Sequence, residues 1–422
     1  MNDFLALRSP VEKKLNKQRD WFTRADIMKF VREEEIKFFT FHYTGIDGKL
    51  KDLLLPLNSL AEAEKLLAAG ERADGSSLFK GLVDTSGSDL YVVPVYSTAF
   101  LNPFVDKSLD FICRFFTKEG ELADYTPDNA LHKSYQLFRE ETGLELYALG
   151  ELEFFLIGEV QNILFPAAKQ AGYHQSNPFI KFSWLNTEML EEITRISGQV
   201  KYGHAEVGLI ETVRSYLPEI AGKRAEQFEI EYLPKPIDQM ADDIVIGKWL
   251  IRNIAFRNNV LATFTPKIEE GIAGNGLHFH FEIRKNNKNI MVGSDGKLSK
   301  ESMKFIGGIV TFARSLSVFG NTVASSYLRL VPNQEAPTKI CWSDLNRSAL
   351  IRVPLGWHGM DNLASKINPQ EKAEYHFSDG RQTVELRSAD GSAWVHALLT
   401  GVCQAARHGF KDKNSTKIAE KT

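Results

Sequence analysis

The chain is poor in cysteine. Its 422 residues hold three, Cys113, Cys341 and Cys403. They are far apart and form no CxxC pair, which excludes a disulfide framework and a thiolate zinc site. Long apolar runs are missing too, none approaching the ~20 residues that span a bilayer. Net charge is only −3 at pH 7, so neither nucleic acid nor an anionic membrane is expected as the main partner. Met1 to Asp20 is charged and mixed, without the apolar core of a signal peptide. With so few cysteines, a reducing cytoplasm is expected. No GxxxxGK[ST] loop occurs, so any nucleotide is held by other means, and no HExxH motif occurs. Internal repeats and low-complexity segments are absent.

What is present fits a large soluble protein. With 43% hydrophobic and 25% charged residues, the chain can bury a large core, and its length calls for two domains. Asn102-Pro103 marks a boundary, giving a small β-rich domain over 1–106 and a larger one over 107–422. In the first, periodicity predicts a helix from Val11 to Glu35. A hairpin follows, with strands Ile36–Tyr43 and Leu50–Leu57, then a Ser59-capped helix over Leu60–Ala69 and a strand from Asp89 to Val95. The second opens with a strand, Leu109–Phe116. Helices follow at Ala130–Thr142, Ser183–Ser197, Ile237–Asn258, Lys300–Ser317 and Ala393–Ala406. Residues 158–183 suit no regular element, and Lys411–Thr422 reads as a frayed polar end.

The chemistry lies in alternating strands. Leu277-His278-Phe279-His280-Phe281 points two imidazoles one way and apolar side chains the other. Glu151-Leu152-Glu153-Phe154 does the same with two carboxylates. Gln227-Phe228-Glu229-Ile230-Glu231, His204-Ala205-Glu206 and Glu385-Leu386-Arg387 repeat the pattern. One acidic strand is a solvated face; several suggest one sheet, packed behind and wet in front. Clustered carboxylates repel unless a cation lies among them. Oxygen donors with one or two histidines suit Mg²⁺ or Mn²⁺. Arg329, Arg347, Arg352 and Arg387 add guanidinium forks for an anionic substrate. Metal ions and arginines together are the apparatus of phosphoryl transfer.

These stretches resemble the glutamine synthetase family over roughly residues 35 to 405. Glu151-Leu152-Glu153-Phe154-Phe155-Leu156 is similar to its E-x-E-F-F-L strand, and Asp74-Gly75-Ser76-Ser77 to its D-G-S-S latch. His278-x-His280 is similar to its G-x-H-x-H strand. Arg329-Leu330-Val331-Pro332 with Glu335-Ala336-Pro337, Asn346-Arg347-Ser348-Ala349 and Glu385-Leu386-Arg387 match three further motifs, in family order. The resemblance implies an α+β protein: a β-grasp-like N-terminal domain and a large α/β catalytic domain with a curved antiparallel sheet. It implies ATP-dependent ligation of ammonia to the γ-carboxylate of glutamate through γ-glutamyl phosphate, with Mg²⁺ or Mn²⁺. By position, Glu153, Glu206 and Glu229 would hold one ion, and Glu151, His278 and Glu385 the other. Arg329, Arg347 and Arg387, with Gly274 of the substrate loop, would hold glutamate and the transferred phosphoryl group; Arg352 and His280 would lie near ATP. Asp74, with Ser77, would bind and deprotonate ammonium, and Glu335 would sit on a flap shielding the acyl phosphate from water. It also implies a homo-oligomeric ring with active sites between subunits.

Departures from the family pattern keep alternatives open. The stretch between Glu206 and Glu229 is long, and Glu219 within it rivals Glu206 as a ligand. Ala273, Glu282 and Thr383 replace usual family residues on the substrate and nucleotide sides. The chain ends soon after the Ala393 helix, leaving a single or a stacked double ring open. A γ-glutamyl ligase acting on an organic amine, or a catalytically weak regulatory homologue, are the competing functions.

Overall fold

The structure, a computed structural model, describes residues 6–162, 164–166 and 168–422. The expected first helix is broken in two. Asn16 turns left-handed at φ 49°, closing α1 (Pro10–Leu15), and Thr23 restarts the chain with a capping box to Asp26 ahead of α2 (Arg24–Glu33). An asparagine in the left-handed region and a Thr-x-x-Asp start are local signals that override apolar periodicity.

The chain then forms β1 (Phe38–Thr44), β2 (Leu50–Pro56), α3 (Leu60–Ala69), β3 (Glu71–Asp74), the single turn α4 (Gly75–Leu78), β4 (Asp89–Pro94), β5 (Phe100–Leu101) and β6 (Ser108–Phe116). The sheet order is β2-β1-β6-β4-β3, with β5 on β6. The sequence reading puts the 109–116 strand in the second domain. Instead, β6 pairs parallel to β1 and antiparallel to β4, so the first sheet runs past residue 106. Its Leu109, Phe111, Cys113 and Phe115 are fully buried beside Phe39 and Phe41. A parallel partner some 70 residues away leaves no mark on local periodicity.

The second sheet has ten strands. Its elements, in chain order, are α5 (Pro127–Thr142), β7 (Glu145–Gly158), α6 (Ser183–Ser197), β8 (Val200–Ile210), β9 (Arg224–Tyr232), β10 (Lys235–Pro236), α7 (Ile237–Arg257), β11 (Leu261–Thr263), β12 (Leu277–Lys285), β13 (Lys288–Asn289), α8 (Lys300–Gly320), α9 (Ala324–Arg329), β14 (Lys339–Asp344), β15 (Ala349–Val353), β16 (Val384–Leu386), α10 (Val395–Lys411) and α11 (Ser415–Lys421). The order is β14-β15-β16-β12-β7-β9-β8. The sheet is curved and antiparallel except at one edge, where β14 and β15 run parallel, so it is mixed rather than wholly antiparallel.

Leu152, Phe154 and Leu156 of β7 face the helices and are fully buried. The fit behind β7 is close: a Cβ on Gly150 would stand 2.5 Å from Ile244 of α7. The carboxyl end is a second correction. Residues 415–421 are a helix, with Ser415 and Ala419 buried, and the Ala419 carbonyl accepts from the Trp342 indole at 2.5 Å. Its anchors are two small residues and one backbone acceptor, which hydropathy does not register.

Candidate active site

Register brings the front-facing side chains of the large sheet together. His278 on β12 stands opposite Glu151 on β7; Glu151 and Glu153 stand opposite Glu231 and Glu229 on β9. His204 on β8 is paired with Glu229, and Glu385 on β16 with His280. Between Ala205 and Leu209 the β8–β9 register shifts. Gly208 donates its N–H to the Gln227 side chain at 2.8 Å, and a Cβ there would lie 2.4 Å from the Phe155 ring. His204 and Glu206, two residues apart on β8, share one face, and the bulge lies beyond Ala205.

Below these side chains lies a cavity of about 550 Å³. Glu151, Glu153, Glu206, Glu229, His278, His280, Glu335, Arg347, Arg352 and Arg387 all line it. Glu385 is fully buried beneath its wall, bonded to Arg387 and, at 2.8 Å, to Arg352. Glu219 is exposed on the β8–β9 connection and outside the wall. Arg329 is also off the wall: it is 2% exposed and lies under His278, donating to Nε2 at 2.9 Å and to the Ser388 carbonyl at 3.1 Å. Gly274 lies deeper, its carbonyl accepting from Gln227 at 3.0 Å. A Cβ on Gly274 would stand 2.1 Å from the Pro266 carbonyl oxygen, so only glycine fits. Asp74 and Ser77 are outside this wall, on the first domain. Asp74 caps α4 and accepts hydrogen bonds from the Ser76 and Ser77 hydroxyls at 2.6 and 2.5 Å. Those hydroxyls hold its exposed carboxyl well below the usual range, hence ionised.

Several wall residues escape a reading by motif. Glu231 accepts from Lys201 at 2.6 Å, and His204 approaches Glu229 at 3.2 Å. Both sit in alternations visible in the sequence. Tyr173, Trp357, Tyr375, Phe377 and Arg381 come from loops without periodicity. Thr383, where the family pattern differs, is hydrogen-bonded to His280 Nδ1 at 2.9 Å and orients that ring. Glu282 is buried and bonded to Arg284 and to Asn289, the latter at 2.6 Å.

The electrostatics are those of a cation site. Burial and the Glu206 carboxylate push Glu153 up to about 8. Burial and the surrounding glutamates raise Glu229 as well, and burial raises Glu206. For Glu151, burial alone would do the same, but His280 and His278 outweigh it and hold it low. Burial and Arg387 lower His278 to about 4, leaving the neutral ring a metal ligand needs. Glu151, His278 and Glu385 bring one ligand atom each within 4.8 Å of one another, as do Glu153, Glu229 and His278, and His204, Glu206 and Glu229. Hard oxygen donors with single imidazoles, too close for all to be charged unaided, fit Mg²⁺ or Mn²⁺.

Two family models match the chain: the glutamine synthetase β-grasp domain over residues 35–118 and the glutamine synthetase catalytic domain over 124–421. The glutamine synthetase of Thermotoga maritima is 29% identical over 403 residues, covering 87% of each chain. That of Pyrococcus horikoshii is 31% identical over 385 residues, covering 90% of this chain and 76% of the relative. Among solved structures, Plasmodium falciparum glutamine synthetase superposes with a TM-score of 0.75 at 24% identity, over 93% of this chain and 76% of that one. An ADP complex of GmaS superposes with a TM-score of 0.71 at 20% identity, over 91% and 81%. At these identities the superpositions show a shared fold. ATP with Mg²⁺ or Mn²⁺ is the family's cofactor set, which the carboxylate–imidazole groups suit. With the two domain models matching residues 35–118 and 124–421, this chain belongs to the glutamine synthetase family.

Proposed function

We propose that the chain ligates ammonia to the γ-carboxylate of L-glutamate, using ATP, through γ-glutamyl phosphate. The observation that carries this reading is the sheet register. It sets Glu151, Glu153, Glu206, Glu229 and His278 around one cavity, above Glu385 and beside Arg347, Arg352 and Arg387. Glu153, Glu206 and Glu229 would hold one divalent ion, and Glu151, His278 and Glu385 the other. Bound Mg²⁺ or Mn²⁺ would neutralise charge on the transferred phosphoryl group.

The residues of the chain do the rest. A γ-carboxylate oxygen of glutamate attacks the terminal phosphorus of ATP, and ADP leaves with the bonding pair. Arg347 is exposed on the cavity wall, its charge felt by Glu206 and Tyr173, and suits the incoming anion. Arg387 is 1% exposed and braced by Glu385 and two backbone carbonyls. A fork so held is preorganised to take the phosphoryl oxygens. Ammonia then attacks the acyl carbon and phosphate departs. Asp74, held ionised by its serines, receives the proton from ammonium. Because Asp74 and Ser77 lie off the wall of their own chain, we assign them to a neighbour's site in a homo-oligomeric ring. Glu335 closes the wall where water would enter.

The test is phosphate release from ATP with glutamate and Mg²⁺, comparing ammonium with methylamine, ethylamine and longer amines. Ammonium is expected to give the fastest release, with glutamine as product. Release with an organic amine but not with ammonium would make the chain an amine ligase. No release with any of them would leave a binding protein.

A further inference from the structure

The segment carrying Glu335 is held in an uncommon conformation by ties from other elements. Glu335 has φ 56° and Asn333 φ 62°. Asparagine tolerates the left-handed region; glutamate stays there only where its surroundings dictate it. One tie is Arg387, whose Nη2 donates to the Glu335 carbonyl at 3.3 Å. The other is Lys267. Its side chain is 7% exposed, and its ammonium donates to the side-chain oxygen of Gln334 and to the carbonyl of Ile272. A single buried amine therefore joins the loop ahead of β12 to the residue beside Glu335.

That loop is itself anchored. Ile272 is 1% exposed in a small apolar cluster with Ile210 and Val213, against which Ile220 and Ile268 pack. Val213 and Ile220 belong to the long connection between β8 and β9. The stretch that lengthens the chain between Glu206 and Glu229 thus buttresses the loop that Lys267 spans. Asn275, at the loop's other end, donates to the Thr263 and Thr265 carbonyls at 3.2 and 3.0 Å. Buttress, loop, Lys267, Gln334 and Glu335 form one mechanical series.

We propose that Lys267 is a positioning residue for the ligase reaction, holding Glu335 at the cavity wall so that the amine rather than water meets the acyl phosphate. This rests on the ligase reading above. If the flap loosens, water oxygen attacks the acyl carbon, phosphate leaves, and glutamate is regenerated. ATP is then hydrolysed with no amide formed.

The test uses the full-length protein and the variants Lys267→Met, Gln334→Leu and Gln334→Glu. Lys267→Met keeps the stem and deletes the donors. It should fold, because burial and the nearby Arg329 both disfavour the ammonium. Phosphate released per amide formed should rise severalfold in Lys267→Met and Gln334→Leu, no further in the double variant, and stay at the parent value in Gln334→Glu, which still accepts from Lys267. Independently of any ligase activity, hydrogen exchange over residues 331–337 should quicken by about tenfold in Lys267→Met, the size expected for one buried charge-assisted bond, with β12 unchanged. Unchanged exchange over 331–337 would overturn the tie. Quickened exchange with an unchanged phosphate-to-amide ratio would overturn the positioning role. If no amide forms even with the parent protein, the ligase reading fails on its own, while the exchange measurement still decides the tie.

Discussion

Glu153 shows what single residues contribute. It stands among Glu206, Glu229 and Glu151, 8% exposed, with its carboxyl pushed up to about 8 by burial and Glu206. A carboxylate so placed is unfavourable to charge unless a cation joins it. Glu153→Gln should therefore weaken Mn²⁺ binding by at least about tenfold while leaving circular dichroism and oligomer size unchanged. Titration calorimetry with Mn²⁺ on the parent and the variant measures this; equal affinities would remove Glu153 from the ligand set. Glu335→Ala should raise the phosphate released per glutamine formed, and an unchanged ratio at normal rates would count against the flap assignment. At this scale the carboxylates and histidines of the wall were legible because strand alternation shows which side chains share a face. Glu231 and His204 lay in the same alternations and needed only the register to bring them in. Tyr173 and Trp357 were not legible: loop residues reach a cavity by tertiary packing, which leaves no period. The guanidinium of Arg329 lies behind His278, a depth no motif records.

Between elements, the two sheets are joined by a buried ionic seam. Arg114 of β6 donates to Asp242 of α7, which is also bonded to His396 of α10 at 3.0 Å. Burial alone would raise Asp242, but Arg114 and His396 outweigh it and hold its carboxyl at about 2, below the 3.8 of a free aspartate. The folded value is the lower one, so the seam's contribution is complete above about pH 4 and is lost as pH falls through about 2. Asp242→Asn should cost about 2 kcal/mol at neutral pH, since it leaves the Arg114 guanidinium only Asp128, at 3.8 Å, as a carboxylate partner. It should also flatten the acid limb between about pH 4 and 2. Urea unfolding at stepped pH measures both; an unchanged acid limb would mean the seam is not a stability element. The seam also shows why the place of β6 is not legible in sequence. Its inward side chains serve the first sheet, while Arg114 reaches the second domain. Neither the parallel β1 partner nor the α7 partner is local. The same holds for α11, whose burial depends on α8 and Trp342. The β1–β2 hairpin, α3 and α7 needed no such information, because caps, turns and helical periodicity mark them within the segment.

For the whole molecule, the question is where one active site ends. Asp74 and Ser77 sit on the first domain, off the cavity wall of their own chain, whereas every carboxylate of the wall belongs to the second domain. A site completed by a neighbour requires association for activity. Asp74→Ala and Glu153→Gln subunits, each inactive alone, should recover activity when co-expressed, because some interfaces then join two intact halves. If mixing restores nothing, each site lies within one subunit. Size and domain order were legible from length and motif sequence; a ring is implied by the family resemblance alone, since association depends on surfaces that no single strand or helix describes. No helix among the described residues is long and apolar enough to cross a membrane.

In the proposed reaction the phosphoryl group passes to the γ-carboxylate of glutamate before nitrogen arrives. The most direct test follows the oxygen. Glutamate labelled with ¹⁸O in its γ-carboxylate is turned over with ATP, Mg²⁺ and ammonium, and the phosphate released is analysed by mass spectrometry. Transfer through an acyl phosphate predicts that each phosphate carries one oxygen from the carboxylate. Unlabelled phosphate formed alongside glutamine would contradict it.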